Sequence, residues 1–368
     1  MTTRECLTFR VAMSSPADVS GLAALFDTGV IAPEDVVAVL GKTEGNGCVN
    51  DFSRGYASMA VRALLADRLG RQANDISHVA IVMSGGVEGG LSPHFLVFAV
   101  QQSATPCSEP ALAVGVASTR AFLPEEIGRM AQVQETAAAV RRAMDQALIA
   151  DAADVHFVQI KCPLLTSERI AQAESRGQRT ATHDTYASMG FSRGASALGV
   201  ALALGEVEAA RICDQSICQD LSLWSACASA SAGGEIEHCE VIVCGNSLAW
   251  TGDSVIAHGV MQDGIDSGAL HRVLADVSLK PDGQLDPVAR RRVKAVIAKA
   301  EPARNGRIRN ARHIMWDDSD INATRHARAL VGGVLAGVVG CTDLFISGGA
   351  EHQGPDGGGP VVVIASRQ

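Results

Sequence analysis

The sequence predicts an α/β protein built of three similar α/β units around a pseudo-threefold axis, with one central site. Two observations predict it. The phrase Ser-Gly-Gly-x-Glu occurs at Ser84-Gly85-Gly86-Val87-Glu88 and at Ser347-Gly348-Gly349-Ala350-Glu351, with a looser copy at Ser231-Ala232-Gly233-Gly234-Glu235. One order of features also recurs three times: a strand ending in lysine, a helix carrying arginine, then a segment ending in serine. Equivalent positions lie roughly 115 to 150 residues apart, so loops vary while the order holds. Glycines after the serine let a ligand or another backbone approach closely and free amide N–H groups to point at it. No low-complexity linker separates the units, expected at 1–110, 111–250 and 251–368, so tight packing is expected rather than separate beads.

The first unit opens with a strand at 6–13 and a short helix at 20–27. Pro33 precedes an apolar strand, 36–40, that runs into Gly41-Lys42. A Gly/Asn-rich loop, 43–50, leads to a helix at 52–69 with Arg54 in its first turn and Tyr56, Ala60, Leu64 and Leu65 on one face. The strand 79–83 then delivers Ser84.

In the second unit, 112–117 reads as a strand, and Pro124-Glu125-Glu126 starts a long helix to about 149, because proline and acids suit a first turn. A strand at 155–160 ends at Lys161, and 167–175 is helical. An apolar helix over 191–204 carries Arg193 in its first turn, Ser231 follows, and 241–244 is a strand. The third unit has an apolar strand at 255–260, a helix at 268–274, and a strand at 293–298 leading to Lys299. A charged segment, 301–312, is expected at the surface. Asp317-Asp318-Ser319-Asp320 is placed to cap a helix over 322–339 that carries Arg325 and Arg328 near its start. The strand 344–346 reaches Ser347, and 361–365 closes the fold.

Composition removes several function classes. With 47% hydrophobic and 19% charged residues, 368 residues can bury more than one core and do not read as disordered. A net charge of -9, with no basic run longer than Arg290-Arg291-Arg292 and only 4% aromatics, argues against a nucleic-acid surface. The apolar stretches 195–204 and 329–339 contain glycine and are too short to span a bilayer, so no membrane partner is expected. The first 15 residues lack the pattern of a signal peptide. Ten cysteines show no Cys-x-x-Cys, and Cys162, Cys227 and Cys244 sit in apolar runs, which suits a reducing cytoplasm. The Gly-rich tail 354–360 lacks a following Lys-Ser/Thr and no His-Glu-x-x-His occurs, so neither a phosphate loop nor a zinc centre is expected. No organic cofactor is expected. The carbonyls of that tail are of the kind that hold a hard cation.

A serine hydroxyl needs a base within reach to act as a nucleophile. A lysine serves when burial and neighbouring positive charge depress its pKa. Taken singly, a strand-end lysine is a snorkelling side chain and a Ser-Gly-Gly is a turn. Their recurrence in one order points instead to Lys42, Lys161 and Lys299 meeting Ser84, Ser231 and Ser347 at one place. Three converging guanidinium groups, from Arg54, Arg193 and either Arg328 or Arg325, repel unless they meet an anion or several carbonyl oxygens. The ligand expected is small, planar and oxygen-rich.

Four stretches carry a family resemblance: Gly41-Lys42-Thr43-Glu44-Gly45-Asn46-Gly47-Cys48-Val49-Asn50-Asp51, Phe122-Leu123-Pro124-Glu125-Glu126-Ile127-Gly128-Arg129, Val158-Gln159-Ile160-Lys161-Cys162-Pro163-Leu164-Leu165-Thr166, and Ser347-Gly348-Gly349-Ala350-Glu351-His352-Gln353-Gly354-Pro355. Together they resemble the cyanuric acid hydrolase/barbiturase family of ring-opening amidohydrolases over essentially the whole chain. The resemblance implies hydrolysis of cyanuric acid to 1-carboxybiuret, which loses carbon dioxide to give biuret. It implies Ser231 and Lys161 as the catalytic pair. It implies substrate contacts at Arg54, Ser84, Gly85, Arg193, Ser231, Ala232, Arg328, Ser347 and Gly348, with Lys42 and Lys299 in the other two pairs. It also implies a structural cation, Mg2+ or Ca2+, at Glu301, Ala350, Gln353, Gly354, Pro355 and Gly358, and a homotetramer. Gly233-Gly234 departs from the family pattern and bears on the flexibility of the nucleophile turn. Two other readings stay open: barbiturase activity on a pyrimidine ring, and a non-catalytic small-ligand binding protein of the same architecture.

Overall fold

A computed structural model describes residues 3–105 and 107–367; Met1, Thr2, Pro106 and Gln368, which fall within the first and last expected units, lie outside the described residues. The first third contains β1 (Thr3–Ala12), α1 (Ser20–Asp27), β2 (Val36–Thr43), α2 (Phe52–Leu69), β3 (Ala80–Gly85) and β4 (His94–Ser103). Next come β5 (Ala111–Ser118), α3 (Met130–Ala147), β6 (Val155–Pro163), α4 (Ser167–Ser175), α5 (Thr185–Leu204), β7 (Ala228–Gly233) and β8 (Glu240–Ser247). The chain continues through β9 (Trp250–Thr251), β10 (Ser254–Met261), α6 (Ser267–Asp276), α7 (Pro287–Arg292) and β11 (Val293–Ala300). A small ribbon of β12 (Arg307–Ile308) and β13 (Ala311–Arg312), then α8 (Ala323–Val339), β14 (Phe345–Gly348) and β15 (Gly359–Ser366), complete it.

The strands form three principal sheets, ordered β3-β2-β4-β1, β7-β6-β8-β5 and β14-β11-β15-β10, the first extended by β9. In each sheet the strand ending in lysine runs parallel to the strand ending in serine and antiparallel to its other neighbour. Even the irregularity repeats: the register shifts at Val36/Ala38, Val155/Phe157 and Val293/Ala295. The helices α2, α5 and α8 begin at a side-chain cap from Asp51, Asp184 and Asn322 and end at left-handed Gly70, Gly205 and Gly340.

Alternation along the strands decides what faces the middle. In β2, Ala38 and Leu40 belong to a core shared by all three sheets, whereas Val39 belongs to a separate core with Ala57, Val61 and Leu65 of α2. In β11, Ala295 and Ile297 face the shared core, and Val296 and Ala298 pack on the α6 and α8 side. The period of two then carries Lys42 and Lys299 onto the inward row of their strands.

Several expectations are corrected. The strand β4 was not expected. The buried face of α2 is Ala57, Val61 and Leu65, not the row through Tyr56, which is exposed. Pro124–Glu126 forms an isolated 3-10 turn, and α3 starts only at Met130, after Gly128 with φ 76° breaks the path. The helix α5 starts at Thr185, so Arg193 lies well inside it and not in its first turn, whereas Arg54 is in the first turn of α2 and α8, from Ala323, carries Arg325 and Arg328 near its start as expected. Asn322 caps α8, while Asp318 instead accepts the N–H groups of Asp320 and Ile321 and bonds His326.

The helix α3 lies directly on its sheet because β5 places Gly115 beneath it: a Cβ there would overlap the carbonyl oxygen of Ala143. Gly115→Ala is therefore expected to cost about 2 kcal/mol or more, read as a lowered denaturation midpoint. An unchanged midpoint would show that α3 does not sit this close.

Candidate active site

Register brings lysine and serine together. Lys42 is the Cα partner of Ser84, Lys161 of Ser231 and Lys299 of Ser347. Adjacent strands put register partners on the same face of the sheet, here the face towards the shared core. All three lysines are at most 2% exposed. Ser347 Oγ lies 3.3 Å from both Ser84 Oγ and Ser231 Oγ, so serines from three sheets meet at one point. Arg54, Arg193 and Arg328 line the same cleft as these serines, together with Gly85, Ala232 and Gly348.

Two lysines hold their serines directly. Lys42 Nζ donates to Ser84 Oγ at 3.3 Å, and Lys299 Nζ to Ser347 Oγ at 3.1 Å. The middle pair differs from the expectation: Lys161 makes no hydrogen bond to Ser231. Its amine donates to Met83 O at 3.0 Å and pairs with Glu235 Oε1 at 2.6 Å. Burial depresses the pKa of every one of these lysines. Burial, then Arg328, hold Lys42 well below the usual amine range. Burial, then Arg193, bring Lys299 to about 7. Burial also lowers Lys161, against the opposing pull of Glu235.

Two of the three arginines are held by glutamates from other thirds of the chain. Arg328 donates through Nε and Nη2 to the two oxygens of Glu88, each at 2.6 Å. Arg193 grips Glu351 in the same two-pronged way at 2.8 and 2.7 Å. Arg54 is held by carbonyls instead, Ala232 O at 2.8 Å and Cys48 O at 2.7 Å. Of the two candidates in the last third, Arg328 is the buried one lining the cleft; Arg325, 40% exposed, reaches Glu88 from the outer side at 3.1 Å. The glutamates were not assigned a role from the sequence, although each is the fifth residue of its Ser-x-x-x-Glu phrase.

Of the residues expected at a cation site, Glu301, Ala350, Gly354 and Pro355 line a neighbouring cavity of about 160 Å³. The side chain of Gln353 is committed elsewhere: its oxygen accepts Ala230 N–H at 2.8 Å and its amide donates to Gly349 O and Glu351 O. Gly358 N–H donates to Pro355 O at 2.9 Å. Burial, then the adjacent Glu351 carboxylate, push Glu301 up to about 7. Crowded carboxylates beside backbone carbonyls are hard oxygen donors that fit a hard cation. Among the described residues no group of three or more His, Cys, Asp or Glu side chains gathers as a metal cluster, so such a site leans on carbonyls.

All ten cysteines are free, and no helix of the described residues is long and apolar enough to cross a membrane. A family model described as amidohydrolase ring-opening protein matches residues 8–366. Cyanuric acid amidohydrolase of Enterobacter cloacae is 56% identical over 362 residues, covering 97% of this chain and 98% of the relative. The solved structure of a cyanuric acid hydrolase from A. caulinodans superposes with a TM-score of 0.92 at 54% identity, covering 99% of each chain. A second structure, described as cyanuric acid hydrolase arising by structural concatenation, gives a TM-score of 0.95 at 51% identity over 99% of this chain and 100% of that one.

Proposed function

The chain belongs to the ring-opening amidohydrolases, and on that footing we propose that it hydrolyses cyanuric acid, opening the s-triazine ring to 1-carboxybiuret, which loses carbon dioxide to give biuret. The observation that carries this reading is the meeting of three register-paired lysine–serine couples and three arginines at one cleft. A planar ring with three carbonyl groups matches a cleft that offers the same side chains three times. We read the three sheets as three units, 1–110, 111–250 and 251–368, about one pseudo-threefold axis with a single central site.

Ser231 is the nucleophile and Lys161 its base. Neutral Lys161 takes the Ser231 proton as Oγ bonds to a ring carbonyl carbon. Backbone N–H groups of the serine turns stabilise the oxyanion. The oxyanion collapses, the ring C–N bond breaks, and the departing nitrogen receives the proton from Lys161. Water then hydrolyses the acyl-enzyme. Arg54, Arg193 and Arg328, with Ser84, Gly85, Ala232, Ser347 and Gly348, hold the remaining carbonyls and ring nitrogens, and Lys42 and Lys299 keep their serines in place.

A hard cation, Mg2+ or Ca2+, would be held by Glu301 and the backbone carbonyls of Ala350, Gln353, Gly354, Pro355 and Gly358, where its charge offsets the Glu301 and Glu351 carboxylates. The ten free thiols support a cytoplasmic enzyme. Exposed Phe52, Tyr56 and Met59 on α2 offer an apolar face for the homotetramer that the family resemblance implies.

Steady-state rates on cyanuric and barbituric acids, measured with one preparation, test the reading. Turnover of cyanuric acid is expected to exceed that of barbituric acid by about tenfold or more. Preference for barbituric acid would make the chain a barbiturase, and binding of either ring without product would make it a binding protein.

A further inference from the structure

The three copies of the site are not alike, and the difference centres on Glu235. In the first copy Glu88 grips Arg328 of the last third; in the last copy Glu351 grips Arg193 of the middle third. Continued once more, the pattern has Glu235 of the middle copy gripping Arg54 of the first third. It does not. Arg54 Nε, the atom that corresponds to the gripped Nε of Arg193 and Arg328, is buried with no hydrogen-bond partner. Among the described residues the one carboxylate within salt-bridge reach of it is Asp51, with Oδ2 4.0 Å away. Glu235 pairs with Lys161 instead, at 2.6 Å.

The turns differ in the same sense. A Cβ on Gly86 would overlap the Arg328 guanidinium, and one on Gly349 would overlap that of Arg193. At the equivalent Gly233 a Cβ would overlap the carboxylate of Glu235 itself. Gly86 and Gly349 are left-handed, with φ 101° and 76°, whereas Gly233 is not among the positive-φ residues. The glutamate thus lies over its own turn, where the other two copies place an arginine. Gly233-Gly234 gives this turn freedom to rearrange, and the Glu235 side chain is 28% exposed.

The lysines complete the comparison. Lys299 donates to the carbonyl of Ala230, the residue before Ser231, as Lys161 does to that of Met83, the residue before Ser84. What Lys161 lacks are the bond to its own serine and the bond to the next residue's carbonyl that Lys42 and Lys299 make to Gly85 O and Gly348 O; what it has in exchange is Glu235.

We propose that Glu235 positions the nucleophile pair by exchanging its carboxylate between the Lys161 ammonium, which it holds here, and Arg54 Nε. Lys161 reaches Ser231 only when Glu235 is on Arg54. Released from its carboxylate, the Lys161 ammonium gives its proton to solvent, and the neutral amine accepts the Ser231 proton. The exchange rests on the Ser231–Lys161 reading above and adds to it the residue that withholds the base. The charged and titratable groups facing the Lys161 amine are Glu235, Arg54 and Cys162, with Glu240 at longer range. Burial works to raise Glu235, but Lys161 and Arg54 hold it at about 2, so it stays a carboxylate across the working range.

The test is the pH profile of kcat/KM for cyanuric acid in Glu235→Gln and Glu235→Asp. A carboxylate on Lys161 stabilises the ammonium, so its removal lowers the pH at which the amine becomes neutral. The acidic limb of Glu235→Gln is expected to move to lower pH by about one unit, whatever happens to the plateau, while Glu235→Asp keeps a limb close to wild type. A limb that stays in place in Glu235→Gln, or moves equally in both variants, would overturn the role of Glu235. Ser231→Ala and Lys161→Ala run alongside. If both lose turnover and the Glu235→Gln limb does not move, only the exchange fails. If either keeps near-wild-type turnover, the Ser231–Lys161 reading fails and the exchange fails with it.

Discussion

Ser231→Ala is expected to lower turnover of cyanuric acid by about 10^4-fold or more while the protein stays folded. The expectation rests on asymmetry as much as on position. All three serines meet at the cleft, but Ser84 and Ser347 are each tied to their own lysine, and Ser231 is not. The middle copy alone has its lysine paired with the glutamate of its own turn. In the proposed mechanism Ser84 and Ser347 hold the ring, so Ser84→Ala and Ser347→Ala are expected to act mainly through KM, by about 10- to 100-fold. The measurement is steady-state kinetics on the three variants, with circular dichroism to establish that each is folded. If Ser231→Ala keeps near-wild-type kcat while one of the other two loses it, the nucleophile belongs to that other copy.

Arg328→Ala is expected to destabilise the fold by about 3–5 kcal/mol, because it leaves the Glu88 carboxylate buried without its partner. The side chains of Arg328 and Glu88 are 4% and 9% exposed, and both oxygens of Glu88 are taken up by the guanidinium fork. Burial works to raise the Glu88 pKa, and Arg328 is what brings it below the ordinary carboxylate value. Arg325 is 40% exposed and reaches one oxygen only, so it compensates little. Thermal denaturation should show a Tm lower by roughly 5–10 °C. The double variant Glu88→Ala/Arg328→Ala should recover part of that loss, since the unpaired charge is gone. A single variant as stable as wild type would mean that Glu88 finds water or another cation at no cost.

Much of this architecture was legible because its signals are local. The helix α2 could be bounded at 52 and 69 from Asp51 and Gly70, which mark a cap and a stop. The lysines could be placed because each ends an apolar run whose alternation continues through it. The strand β4 escaped notice for the opposite reason: its first six residues, His94 to Ala99, are all buried, so neither face shows a polar row to betray the period. The first six residues of α5 are not legible because Thr185 and Tyr186 are polar and partly exposed, and the apolar run starts later. At the site, the lysine, arginine and serine sets were readable from their repetition. The partner each one takes was not. Glu88 and Arg328 lie 240 positions apart, and Glu351 and Arg193 lie 158 apart. That Lys161 pairs with Glu235 rather than with Ser231 is set by tertiary packing, which no local pattern encodes.

The gripping of arginines by glutamates from other thirds has a consequence for how such a catalyst can be taken apart. Glu88 holds Arg328, and Glu351 holds Arg193, so severing the polypeptide between its sheets strands a bare carboxylate on one fragment and a bare guanidinium on another. Each fragment keeps its own lysine–serine couple but loses a partner across the cut, and only reassembly of the pieces brings the handshakes and the three couples back together.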